Sequence, residues 1–252
     1  MRQSEFGDIT YESPDESSVR EQFIETFKQC PIPETEILSN LGLFLNSKNL
    51  SRILFMNHLY QQIIDVQGII IEFGVRWGQN TSLFAALRGI YEPFNRHRKI
   101  VGFDTFKGFP AITEKDGKSK LMRVGADSVS ENYVDYLNTL MELQEKDNPL
   151  SHIKKFELVA GDAVVEIDKY LTEHPETIIA LAYFDFDLYE PTRKCLEVIR
   201  PYLVKGSVLG FDELNDPDSP GETVALKEVF ELNKINLKRY RYASRVSYFV
   251  TE

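Results

Sequence analysis

The run Gly68 to Gly74, GIIIEFG, constrains this chain more than any other feature. Three consecutive Ile and a Phe put apolar side chains on both faces, so the segment suits a strand covered on both sides, in a parallel sheet whose crossover helices lie on each face. Short apolar runs then alternate with helical stretches, and further strands are expected at Ile100 to Phe103, Phe156 to Ala160, Ile178 to Phe184 and Ser207 to Phe211. The fold class that follows is α/β. The chain closes on LKRYRYASRVSYFVTE, two β-rich runs, Leu237 to Tyr242 and Ser247 to Thr251, joined by a turn. Such a hairpin would finish the sheet antiparallel.

Residues 1–32, rich in Ser, Asp and Glu, read as an N-terminal arm with a short helix from Ser18 to Lys28, placed to drape over a site. From Pro33 to Asp65 the apolar spacing predicts two or three helices with breaks after Phe44 and Leu54. Nothing divides residues 33–252, which are expected to form one domain. Within it, about 110–150 reads as a lid insertion that carries a helical pattern through Tyr133, Leu137, Leu140 and Leu143.

Composition excludes several classes. With 29 Lys plus Arg against 39 Asp plus Glu, the net charge of −10 would repel a phosphate backbone, so nucleic acid is not expected as a partner. No apolar stretch is long enough for a membrane helix, and the polar, acidic N-terminus is unlike a signal peptide. The two cysteines, Cys30 and Cys195, form neither a disulfide framework nor a zinc motif and suit the reducing cytoplasm. The four histidines are scattered and read as packing or surface residues. A monomer and a homo-oligomer both stay open.

Chemistry is expected at the strand ends. In IEFGVRWGQNTS, Glu72 ends the first buried strand, and Gly74 and Gly78 follow, with a helix beginning near Asn80, Thr81 and Ser82. Glycines allow a tight turn, and a helix N-terminus offers free N–H groups to an anionic ligand. The bulky Arg76 and Trp77 between the glycines leave little room for a pyrophosphate but suit a small carboxylate end, such as the methionine part of S-adenosylmethionine. Asp104, in GFDTFKGFP, closes the next strand and can accept both ribose hydroxyls, with Thr105 beside it. Gly161, Asp162 and Ala163, after the third strand, can approach the adenine. These signals fall in order at successive strand ends, where parallel sheets gather ligands.

Four carboxylates follow: Asp185 and Asp187 in YFDFDLYEPT, then Asp212 and Glu213 in GSVLGFDEL. On neighbouring strands they would converge and repel, and a hard divalent cation such as Mg2+ would relieve this. Pairing with Arg193, Arg200 or Lys205 is the structural alternative. The DxD pair also occurs in metal-dependent phosphatases, where it belongs on the first strand, and in nucleotide-sugar glycosyltransferases, which would leave the three upstream signals unexplained. A cofactor-binding module without catalysis is a further alternative.

Together, IEFGVRWGQNTS, GFDTFKGFP, YFDFDLYEPT and GSVLGFDE resemble the macrocin O-methyltransferase family over about Ile69 to Glu213. The resemblance implies a class I methyltransferase with a Rossmann-like, seven-stranded, mostly parallel sheet whose last strand is antiparallel. It implies S-adenosylmethionine and Mg2+ as cofactors, with Asp185 also beside the S-adenosylmethionine, and methylation of a sugar hydroxyl in a glycoside such as an antibiotic. The residues matching the family's metal ligands are Asp185, Asp212 and Glu213, and the one matching its general base is Asp187. Two positions depart from the pattern: Glu213 stands where a second Asp is more usual, and Phe186 where a small residue is usual.

Overall fold

In a computed structural model that describes residues 13–252, with the backbone of residues 2–3 and 9–10, the GIIIEFG run is the strand β3 (Ile69–Phe73). Before it come the short antiparallel pair β1 (Arg2–Gln3) and β2 (Ile9–Thr10) and the helices α1 (Pro14–Lys28), α2 (Glu34–Ile37) and α3 (Ser47–Gln62). After it the order is α4 (Gln79–Tyr91), β4 (Ile100–Asp104), α5 (Tyr133–Asp147), β5 (Phe156–Ala160), α6 (Ala163–Glu173) and β6 (Ile179–Phe184). The chain ends with α7 (Tyr189–Ile199), β7 (Leu203–Phe211), α8 (Gly221–Val229), β8 (Lys238–Arg239) and β9 (Ser247–Val250).

Seven strands form one sheet in the order β5-β4-β3-β6-β7-β9-β8. The first five are parallel, β9 runs antiparallel to β7, and β8 pairs antiparallel with β9, so the terminal hairpin completes the sheet as expected. Side chains alternate across β3. Ile70 joins Phe55, Met56 and Leu59 of α3, Phe84 of α4 and Leu137 and Met141 of α5 on one face. Ile71 and Phe73 join Ile167 of α6, Leu196 and Ile199 of α7 and Leu226 of α8 on the other. Burying both faces explains why the strand carries no polar alternation. Strand order reverses between β3 and β6, where ligands of open α/β sheets bind at the carboxyl ends.

Three expectations change in detail. α1 starts at Pro14, four residues before Ser18, because Ser13 and Glu16 form a reciprocal capping box and Pro suits the first helical turn. Residues 1 and 4–8 and 11–12 of the expected arm lie outside the described residues. α3 continues unbroken through Leu54. Leu50 and Leu54 are on its exposed side while Phe55, Met56 and Leu59 face the sheet, so two stripes of one helix resembled two helices. Finally, residues 133–147 form a regular helix with Leu137 and Met141 in the core. The longer loop is 105–132, interrupted by a 3-10 turn at Glu114–Asp116, and a shorter one follows at 148–155. In the longer loop Phe109 and Ala126 form a small core with Leu188, Ile112, Leu121 and Met122.

Candidate active site

The turn after β3 is built around Gly74. Its φ is +92°, and a Cβ there would stand 2.0 Å from the carbonyl oxygen of Asp185, so the ends of β3 and β6 meet at a distance that only glycine allows. Gly78, with φ +77°, precedes α4, whose first residues Gln79 and Asn80 open onto a cleft. Glu72 is fully buried beneath the turn, away from the cleft lining. One of its carboxylate oxygens accepts from the Thr81 hydroxyl, and the other, Oε1, has no hydrogen-bond partner. Burial raises its pKa to about 7, against the hydrogen bonds from Thr81 and Asn80. Ser82 turns away from the cleft, its hydroxyl 3.5 Å from the Met141 sulfur. Of the residues expected around this turn, Gly74 therefore lines the cleft, while Glu72, Gly78, Thr81 and Ser82 support the wall behind it.

The other cofactor candidates all line the cleft: Asp104, Thr105, Gly161, Asp162 and Ala163. Asp104 is oriented by backbone donors, with Oδ2 accepting from Arg76 N–H at 2.7 Å and Oδ1 from Phe106 N–H at 2.5 Å. Burial, the larger influence, nevertheless holds its pKa above the ordinary value. A third backbone donor, from Val75, also faces this carboxylate, and the carboxylate keeps lone-pair capacity for a ligand hydroxyl. Thr105 donates to the carbonyl of Gly108 at 2.7 Å and shapes the following loop. Asp162 caps α6, its Oδ1 accepting from Val164 N–H at 3.0 Å.

The four expected carboxylates do converge on this cleft, and a fifth, Glu222 at the start of α8, stands among them. Their cations are not Arg193, Arg200 or Lys205; Arg193 pairs with Glu190 and Glu197 on its own helix. The guanidinium of Arg52, from α3, forks between Asp185 (2.5 Å) and Asp212 (2.6 Å), and its Nε donates to Asn80 at 3.2 Å. Tyr183 O–H donates to the same Asp212 oxygen at 2.9 Å. Arg245, just before β9, binds Glu213 and lies 3.1 Å from Asp216. Two arginines do not satisfy the cluster: Glu213 Oε1 and Glu222 Oε2 are buried without a hydrogen-bond partner. Burial first, and neighbouring carboxylates next, push Asp185, Asp187 and Glu222 well above the ordinary range, and burial takes Glu213 to about 8.

Backbone strain concentrates here as well. Arg76, Asp127 and Asp187 all line the cleft with positive φ, at 48°, 56° and 61°, and an ion pair of 3.0 Å ties Arg76 to Asp127. Non-glycine residues held this way cluster at functional sites. Trp77 and Phe186 also line the cleft, Trp77 edge-on to Tyr133 and Phe186 tilted against Phe73. The whole cleft measures about 360 Å3. On one side of β3 it carries the ends of β4 and β5, with Asp104 and Asp162; on the other it carries the ends of β6 and β7, with the carboxylate cluster.

No family model and no curated protein matches this chain. Solved structures do. CalS11, described as a calicheamicin methyltransferase, is 40% identical over 99% of this chain and 98% of its own, with a TM-score of 0.93. The chain belongs to the macrocin O-methyltransferase family. A second structure of CalS11, described as a TDP-rhamnose 3′-O-methyltransferase of calicheamicin biosynthesis, matches at 40% identity over 96% of each chain with a TM-score of 0.85. The O-methyltransferase NovP shares the fold at 20% identity over 79% of each chain, TM-score 0.58. As a macrocin-type O-methyltransferase, the protein is an enzyme that takes its methyl group from S-adenosylmethionine. Among the described residues, no three His, Cys, Asp or Glu side chains are gathered into a ready metal cage, and no helix is long and apolar enough to cross a membrane.

Proposed function

We propose that this enzyme transfers the methyl group of S-adenosylmethionine to a hydroxyl of a sugar, with Asp187 removing the hydroxyl proton and a divalent cation assisting. The observation that carries the reading is the single cleft with a cofactor side at Asp104, Gly161 and Asp162 and an acidic side at Asp185, Asp187, Asp212 and Glu213. Similarity to CalS11, whose substrate is a nucleotide-linked sugar, supports the acceptor class.

Asp187 is the candidate base. Because burial and the adjacent Glu213 carboxyl raise its pKa, it needs a positive neighbour such as the cation to ionise it before it can accept the proton. It stands in the strained turn between β6 and α7, lines the cleft, and faces Glu213, so its backbone holds the carboxylate toward the space an acceptor would enter. Arg52 fixes Asp185 and Asp212, and Gly74 brings the cofactor wall against them. In-line transfer depends on such positioning, which can supply much of the rate. The donor set is all oxygen, as a hard cation prefers, and Arg52 and Arg245, which hold Asp185, Asp212 and Glu213, would have to yield to the ion. Asp185, Asp212 and Glu213 are the residues that would hold Mg2+. The ion would lower the pKa of the bound hydroxyl.

The test is turnover on a panel of sugar acceptors. Asp187→Asn should bind S-adenosylmethionine as the wild type does and lose at least about a hundredfold in kcat. Wild-type kcat in that variant would remove Asp187 from the chemistry, and full activity after exhaustive treatment with EDTA would remove the cation.

A further inference from the structure

Near its end the acidic chain carries a basic stretch. From Leu232 to Thr251 there is no carboxylate, yet the segment carries Lys234, Lys238, Arg239, Arg241 and Arg245, interleaved with Tyr240 and Tyr242. The sheet register places it. Phe211, the last residue of β7, lies opposite Ser247 of β9, and Ser247 lies opposite Arg239 of β8. At a strand spacing of about 4.8 Å, the Arg239 backbone is roughly 10 Å across the sheet from the strand that delivers Asp212 and Glu213 to the cleft. Residues 240–246 therefore continue past the carboxyl edge of β7, beside the cleft mouth, and Arg245 reaches into its lining.

The loop is anchored at its base and open at its tip. Tyr240 packs against Phe55 and His58, with ring centroids at 5.1 and 5.4 Å. Tyr242 is 63% exposed, and the Arg241 guanidinium lies 5.7 Å from its ring centroid. An exposed ring beside a guanidinium is a stacking platform for a flat base, and arginine forks match phosphate oxygens.

These features and the acidic cleft floor have opposite electrostatic preferences, and an acceptor with two ends reconciles them. A neutral sugar ring can approach the carboxylates without repulsion. A negative group attached to that ring would be repelled by the floor and attracted by the loop, which would orient the sugar with its hydroxyls inward. We infer that the 238–245 loop is a subsite for the nucleoside diphosphate of an activated sugar, with Arg239 and Arg241 on the diphosphate and Tyr242 under the base. The acceptor is then a sugar nucleotide rather than a finished glycoside. This rests on the sugar-methyltransferase reading and narrows its substrate class.

Calorimetry on the full chain saturated with S-adenosylhomocysteine tests it, with thymidine 5′-diphosphate, pyrophosphate and thymidine as probes against wild type and Arg239→Ser/Arg241→Ser. Both side chains are exposed, so the fold and the affinity for S-adenosylhomocysteine should not change. Thymidine 5′-diphosphate should bind the wild type more tightly than either fragment, and the double substitution should weaken it about tenfold or more. Raising the salt should also weaken the wild-type interaction. Equal affinity of the two proteins for the nucleotide, or binding by neither, overturns the proposal. Methyl transfer to a neutral rhamnoside at equal rates in both proteins, without nucleotide binding, overturns it as well and leaves the sugar-methyltransferase reading standing. Failure to methylate any free or nucleotide-linked sugar would sink that reading, while the calorimetry still decides the subsite.

Discussion

Replacing Glu72 by Gln keeps the shape of a fully buried side chain and removes its titration. Burial places the native pKa at about 7, against an ordinary value of 4.5. Between these values the native protein keeps a proton that the unfolded chain has released, so stability falls as pH rises through the window and levels off above it. At about 1.4 kcal/mol per pH unit, the wild type should lose about 3 kcal/mol through this group between pH 4.5 and pH 8. Glu72→Gln should lose none of it. The raised carboxylates Asp187 and Glu222 give both proteins a slope of the same sign, so the difference between the two curves reports Glu72 together with the part of the Asp185 shift that its charge causes. The glutamine carbonyl can accept from Thr81 as Glu72 Oε2 does, and its amide would replace an oxygen that already lacks a partner. Any cost of the exchange is therefore independent of pH. Urea denaturation at half-unit steps of pH measures the difference directly. Parallel curves for the two proteins would refute the assignment of a raised pKa to this residue and the electrostatic account of the turn built on it.

Other substitutions test the remaining parts of the cleft. Asp104→Asn should weaken S-adenosylmethionine binding roughly ten- to a hundredfold by calorimetry, because a charged acceptor becomes neutral; unchanged affinity would remove Asp104 from the cofactor site. Arg52→Met leaves Asp185 and Asp212 without the guanidinium between them. With the Arg52 side chain 29% exposed, the stability loss should be about 2 kcal/mol, between the values for exposed and fully buried pairs, and an unchanged urea midpoint would show that the fork adds nothing. Gly74→Ala must move β3 away from the Asp185 carbonyl. It should abolish binding of S-adenosylhomocysteine, so wild-type affinity in that variant would contradict the close approach.

The parallel sheet was readable because a strand buried on both faces cannot alternate: Ile179–Phe184 is a continuous apolar run for that reason, and Ile69–Phe73 is broken only by the buried Glu72. The acidic site was readable for a related reason. Strand ends in such a sheet share one edge, so Asp104, Asp185, Asp187, Asp212 and Glu213 could be placed together before their distances were known. Helix boundaries were less legible: a long helix with an exposed apolar side, as in α3, has the spacing of two short ones.

The cations of the site were missed because no strand end supplies them. Arg52 meets Asp212 from 160 residues away, on a helix that precedes the first central strand. Arg245 arrives from the terminal hairpin, and neither lies in a motif. Yet one sequence argument was available for Arg52. It stands three, four and seven residues before Phe55, Met56 and Leu59, which are fully buried on the sheet-facing side of α3. A charged side chain on the buried stripe of a helix needs an opposite charge close by, because taking it out of water unpaired costs several kcal/mol. Four carboxylates already predicted to crowd one strand edge need a cation for the same reason. Matching the two demands assigns Arg52 to the cluster without coordinates. Glu222 yields to the same reasoning only in part: it lies at the start of a helix, where a carboxylate is ordinarily stabilised by free N–H groups, so its burial among other acids leaves no trace in the local pattern.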